Sequence, residues 1–127
     1  MRVVGVQVED DIETLLASST LTVTANGAQR DGYKNLDGVI LIAVVSAVSG
    51  VSPTLDIKLQ DSIDSGATWQ DTGIAFVQMI ATGTFAVRSV LPLAPLVRPV
   101  YTLTGTTPSF TFSLRAYGKA KKSIATS

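Results

Sequence analysis

Apolar and polar residues alternate through most of this chain, and the alternation has the period of a β-strand. Leu55, Ile57 and Leu59 share one side, with Asp56, Lys58 and Gln60 on the other. Phe110, Phe112 and Leu114 repeat the arrangement, with Thr111, Ser113 and Arg115 opposite. Period two marks half-buried antiparallel strands. Each run follows the same punctuation, Val48-Ser49-Gly50-Val51-Ser52-Pro53 and Leu103-Thr104-Gly105-Thr106-Thr107-Pro108. Gly supplies the positive φ of tight turns, while Pro fixes φ and cannot donate to a ladder. Gly50, Pro53, Gly105 and Pro108 are therefore expected to build two equivalent Gly-x-Ser/Thr-Pro hairpins, each running strand, tight turn, strand. Such a pair suggests two pseudo-symmetric sheets facing one another, through internal duplication or through converging turn chemistry.

The rest of the pattern fills in around these copies. Leu21 to Thr24 alternates and reads as the first core strand, and Asn26-Gly27, Asp31-Gly32 and Asp37-Gly38 signal turns. Val39 to Val48 is apolar except for Ser46, and reads as a central strand buried on both faces. It is about half the ~20 residues that a membrane-spanning helix requires. Ile74 to Ile80 and Thr84 to Leu91 are further strands. Phe76 and Met79 pack in the first, Phe85 and Val87 in the second, with Arg88 on the opposite face. Pro92, Pro95 and Pro99 crowd the next stretch, which implies an edge or a crossing between sheets. Ser109 to Tyr117 closes the fold.

Both ends depart from this pattern. Val3, Val4, Val6 and Val8 allow a short strand. Asp10 to Ala17 reads either as a helical turn capped by Asp10 or Asp11, or as an extended arm that orders against a neighbour; the arm is preferred. The expected organisation is an N-terminal arm or short helix over 1–18, a β-sandwich over 19–118 and a basic flexible tail over 119–127. Glu9, Asp10, Asp11 and Glu13 make one end acidic, while Arg115, Lys119, Lys121 and Lys122 make the other basic. These ends are either solvated or attract a neighbouring copy or a charged surface. With Pro92 and Pro95, the acids and the three lysines are the candidate partner contacts.

Composition narrows the classes. The 127 residues make one domain, and 46% are apolar, enough for a real core. Abundant Thr, Ser, Val and Gly favour an all-β sandwich or barrel. Ten acids balance ten bases, so no broad basic field awaits nucleic acid. Cys is absent, which removes disulfides and thiolate metal sites and suits assembly in a reducing cytoplasm. The acidic first residues do not read as a secretory leader.

Ser62-Ile63-Asp64-Ser65-Gly66-Ala67-Thr68-Trp69 resembles the Asp-box, S-x-D-x-G-x-T-W, of sialidases and other β-proteins. In that motif Ser and Asp bond turn backbone, Gly takes a positive φ and Trp packs under the hairpin. Ser62, Asp64, Gly66, Thr68 and Trp69 are read as a structural turn. The alternative is a calcium or sugar site using Asp61, Ser62, Asp64 and Asp71 as oxygen ligands. No catalytic set is recognisable. His is absent, so the many Ser and Thr lack the commonest activating base, and no Gly-rich phosphate loop is present. The expectation is a non-enzyme with no metal and no cofactor.

Leu55-Asp56-Ile57-Lys58-Leu59-Gln60-Asp61-Ser62, continuing to Trp69, and Val97-Arg98-Pro99-Val100-Tyr101-Thr102-Leu103-Thr104-Gly105-Thr106-Thr107-Pro108, continuing to Leu114, together resemble small virion structural proteins of tailed bacteriophages. The likeness spans roughly Thr20 to Gly118. It implies a jelly-roll or β-sandwich, and a role as a head decoration (cement) protein that binds the major capsid protein of the assembled shell, on the capsid surface, without enzymatic activity. It also implies a homo-oligomer, with a trimer favoured, and neither a membrane nor a specific nucleic acid as partner. A minor tail or connector component and a carbohydrate-binding module of a tail tip are the alternatives. Trp69, Tyr33, Tyr101 and Tyr117 would serve the latter as aromatic platforms.

Overall fold

A computed structural model describes residues 10–90 and 92–120, with only the backbone course for 10–12, 35, 119 and 120. The strands are β1 (Asp10–Leu21), β2 (Ala25–Asn26), β3 (Arg30–Asp31), β4 (Leu36–Ser62), β5 (Gln70–Ala75), β6 (Gly83–Ser89) and β7 (Leu96–Ala120), and Tyr33–Asn35 forms one 3-10 turn. All pairings are antiparallel, so the fold is all-β as expected.

Two strands dominate. β4 spans 27 residues and β7 spans 25, and they pair with each other from Leu36↔Ala120 to Ser62↔Leu96. The two Gly-x-Ser/Thr-Pro copies lie in the middle of these strands and are not hairpin turns. Ser49 pairs with Ser109, Val51 with Thr106 and Thr54 with Thr104. β7 therefore carries one extra residue in the first interval and β4 carries one in the second. The two irregularities cancel, and the register resumes. Ser52 and Thr107 also have positive φ, at 51° and 46°. The paired bulges bend both strands at one place, since a bulge kinks its strand and increases local twist.

The bend folds each long strand back over itself. Tyr101 and Phe112 stand eleven positions apart in β7, which in a straight strand would separate them by roughly 36 Å. Their ring centroids lie 5.3 Å apart in an edge-to-face contact. One half of the sheet contains β1, 109–120 of β7, 36–49 of β4 and β6. The other contains β2, β3, 96–104 of β7, 54–62 of β4 and β5. The first half sends Leu41, Ala43, Phe110, Phe112 and Leu114 into the core, and the second sends Leu55, Ile57, Leu59, Val97 and Tyr101, all in one cluster. In place of the expected pair of sheets there is one seven-stranded sheet, bent so that its two halves share a core.

Several expectations need correction. Residues 10–18 form neither helix nor free arm; they belong to β1, with Asp10 opposite Lys119. The edge of β7 offers this segment a ladder, and Leu15 is buried in the core. The core strand expected at Leu21 to Thr24 does not form, and Val23 is exposed. Val39 to Val48 is buried on one face only. Val39, Leu41, Ala43 and Val45 point inward, while Ile40 and Ile42 are half-buried and Val44 is 40% exposed. No second layer covers that outer face among the described residues. Pro99 is buried inside β7 and not at an edge. Its carbonyl accepts from the Gly27 N–H at 2.7 Å, and in a strand a residue's N and O point the same way. Its missing donor thus faces the gap between β2 and β3, where no ladder bond is lost. Lys119 and Ala120 continue β7, whereas the rest of the expected tail lies outside the described residues.

Gly50 and Gly105 carry the bend reciprocally. Gly50 has φ 111°, and a Cβ there would stand 2.6 Å from the Thr107 carbonyl oxygen and 2.9 Å from Pro108 Cα. Gly105 has φ 116°, and its Cβ would stand 2.7 Å from the Ser52 oxygen and 2.9 Å from Pro53 Cα. Gly50→Ala and Gly105→Ala should each cost about 2–3 kcal/mol in urea denaturation, from the strained φ and the backbone clash. The double substitution should cost less than the sum, because both deform one crossing. Tyr101 gives a change in the other direction. Its hydroxyl is buried without a partner among the described residues, and burial pushes the phenol above its ordinary pKa, with Arg30 opposing. Tyr101→Phe should leave stability unchanged or raise it by up to about 2 kcal/mol, measured by the same denaturation.

Candidate functional site

The Ser62–Trp69 loop joins β4 to β5, with Asp61 opposite Gln70 at its base. Its bonds are local. The Ser62 hydroxyl donates to Asp64 Oδ1 at 2.7 Å and accepts from the Gly66 N–H at 2.9 Å and the Asp64 N–H at 3.3 Å. The Thr68 N–H donates to Asp64 Oδ1 at 2.9 Å, and the Thr68 hydroxyl to Asp64 Oδ2 at 2.6 Å. Ser65 and Gly66 take positive φ, at 63° and 93°. Ser62 is only 1% exposed, so these bonds are what satisfies its hydroxyl. The Thr68 hydroxyl, then the Thr68 N–H and Ser62, hold the Asp64 carboxyl down to about 2. The resemblance to the Asp-box implied turn bonding of this kind together with a Trp packed under the hairpin.

Trp69 departs from that expectation. It is half-buried, and the Arg98 guanidinium carbon sits 4.4 Å from its ring centroid. Arg98 Nε donates to Gln60 Oε1 at 3.0 Å, which holds the guanidinium over the ring. Sequence reasoning missed this pair. Its signal was Arg98 in the outward phase of a strand later found to cross β4 at Gln60.

Beyond Trp69, the same outer face carries a polar network. Asp71 accepts from Lys58 and Gln60 at 3.1 and 3.0 Å, with Gln60 and then Lys58 lowering its pKa. Gln78 donates to Asp56 at 3.0 Å, and Asp61 accepts the Ala94 N–H at 3.0 Å. Asp61, Asp64 and Asp71 therefore serve separate local bonds and do not converge as a carboxylate pair or an oxygen cage. Among the described residues no group of three or more His, Cys, Asp or Glu is placed to hold a metal.

The candidate partner contacts scatter differently. Glu13 accepts the Tyr33 hydroxyl at 2.6 Å, a bond within the chain. Asp10 pairs with Lys119 and Asp11 with Gly118 in the backbone register. The acidic and basic segments thus run side by side at one end of the sheet. Pro92 and Pro95 are exposed on the connection from β6 to β7. Glu9, Lys121 and Lys122 lie outside the described residues.

Comparison with models of protein families finds no match, and comparison with curated proteins finds none. Among solved structures, the crystal structure of the SPBc2 prophage-derived protein YomS is similar to this chain. Its TM-score is 0.46 and its identity 13%, over 85% of this chain and 94% of that one.

The lowered pKa of Asp64 makes the loop's stability depend on pH. A carboxylate whose folded pKa lies below its unfolded 3.8 contributes fully above that value and loses its contribution as pH falls through about 2. Asp64→Ala should melt at a lower temperature than the native chain at neutral pH. The gap should narrow between about pH 4 and pH 2, followed by thermal melts across that range.

Proposed function

We propose that this chain is a non-enzymatic virion structural protein of a tailed bacteriophage, and that it acts as a head decoration (cement) protein on the assembled capsid shell. The supporting observation is where the family-like passages fall. Leu55 to Ser62 and Leu96 to Thr104 are hydrogen-bonded to each other residue by residue, from Leu55↔Leu103 through Gln60↔Arg98 to Ser62↔Leu96. The Ser62–Trp69 loop caps this ribbon. The second passage continues past the bend, where 109–114 pairs with 43–49, so the resembling passages cross both halves of the sheet.

The architecture suits the role. A decoration protein resists strain in the shell by burying surface across subunit junctions, which calls for a stiff body. Here two strands of 25 residues or more are paired along their whole length. Asp10 lies opposite Lys119 and Asp11 opposite Gly118, so acidic and basic residues meet at one end of the sheet. Repetition over a shell then turns individually weak contacts into firm attachment. On this reading the partner is the major capsid protein, the protein assembles in the bacterial cytoplasm, and it resides on the virion surface.

Co-sedimentation of the unaltered chain with purified heads of the encoding phage tests the reading. Saturable binding at a fixed copy number per head is expected, with much weaker binding to free shell subunits. Equal binding to both, or none to heads, would overturn it, and absence of head binding would favour a tail or connector component.

A further inference from the structure

β4 carries more apolar residues than its covered face uses. Residues 39–45 are apolar without a break, the composition of a strand covered on both sides. Only the inward set, Val39, Leu41, Ala43 and Val45, is buried, while Ile40, Ile42 and Val44 line the outer face. The register places neighbours beside this column. Ile40 stands between Arg88 of β6 and Tyr117 of β7, and Ile42 between Ala86 and Arg115. One arginine therefore flanks the column on each side, with about 12 Å between their Cα atoms from strand and residue spacings.

Both arginines are exposed, and neither makes a hydrogen bond or ion pair among the described residues. No acid stands in these cross-strand rows. The outer face of the other half is different, because there Lys58 meets Asp71 and Gln60 holds Arg98 over Trp69. At the end of the column a groove of about 280 Å³ opens between Arg88, Val90 and Tyr117, and Val90 is 82% exposed. It has room for an apolar side chain, the kind of anchor that carries most of the energy of a protein contact.

We infer that this face is the shell-binding surface, and that the patch it meets on the major capsid protein has an apolar centre flanked by two carboxylates, with an apolar side chain for the groove. The inference rests on the decoration reading and adds to it the surface used and the chemistry of the partner. Ile40, Ile42 and Val44 supply the apolar contact. Arg88 and Arg115 supply direction, since a guanidinium pairs with a carboxylate through two parallel hydrogen bonds.

Charge and area both count against a second copy as the occupant. Two copies packed through this face would bring four arginines together with no acid from these rows to meet them. Four strands and three rows of outward residues cover roughly 400 Å², or about 800 Å² over both partners. That falls short of the ~1,200 Å² at which stable pairs begin. An acidic partner neutralises the arginines instead. The small area makes each contact weak, and repetition over a shell makes the attachment firm.

The test is co-sedimentation with purified heads of the encoding phage, comparing the unaltered chain with R88E, R115E, R88E/R115E, V44K and K34E. Lys34 lies in the 3-10 turn, away from this face, so K34E makes the same charge change elsewhere. Each arginine reversal should weaken binding about tenfold, and the pair on the order of a hundredfold. V44K keeps the positive sign but breaks the apolar column, and should weaken binding about tenfold as well. K34E should bind like the unaltered chain, and every variant should keep its cooperative melt, because the altered side chains are exposed. If the unaltered chain binds no heads, the decoration reading and this inference fall together. If it binds and R88E/R115E binds equally, or K34E weakens binding as much as either arginine reversal, the inference alone falls. A dimer in sedimentation equilibrium that R88E/R115E dissociates would also overturn it, by assigning the face to a second copy.

Discussion

The close approach of two backbones at Gly50 and Gly105 is the constraint from which the rest of the structure follows. Each glycine sits against the Pro and the preceding carbonyl of the opposite copy, with no room for a Cβ on either side. Two extra residues, one on each strand, enter and cancel there. Without them β4 and β7 would make a long twisted ribbon with a single apolar side and nothing to set against it. With them the ribbon bends, and Phe110, Phe112 and Leu114 meet Leu55, Ile57 and Tyr101 in one core. The short strands then dock on edges that the ribbon provides.

The bend gives the molecule two outer faces of different chemistry. Behind the second half, Asp71 joins Lys58 and Gln60, Gln60 holds Arg98 over Trp69, and Gln78 bonds Asp56. That surface is complete in water. The ion pair in it, Lys58–Asp71, is exposed and screened by solvent, so it contributes little to stability. Behind the first half, Ile40, Ile42 and Val44 remain partly open. The two outer faces thus differ, one polar and hydrogen-bonded, the other apolar and partly open.

The side-chain bonds of the loop after β4 fall within Ser62 to Thr68. The residue types and their spacing contain the geometry. The same is true of the alternation in 55–59 and 110–114, which sorted core from surface correctly. The Gly-x-Ser/Thr-Pro copies were legible as places of positive φ but not as bulges. A turn and a bulge use the same local conformations, and they differ in whether the chain beyond pairs with its own preceding strand or stays on the same distant partner. The charge-rich start of β1 reads as a helix cap locally, yet the edge of β7 offered a ladder and a site for Leu15.

The sequence by itself determined an all-β domain and which side of 55–59 and 110–114 faces the core. Those are properties of period and of contacts a few residues long. Only the tertiary structure decided that the two repeated motifs meet each other, that β4 and β7 are each one strand, and that Arg98 lies over Trp69. Each of these joins residues some 30 to 85 positions apart. Such pairings depend on which backbones can approach closely and which ladders remain open, and no local pattern encodes either.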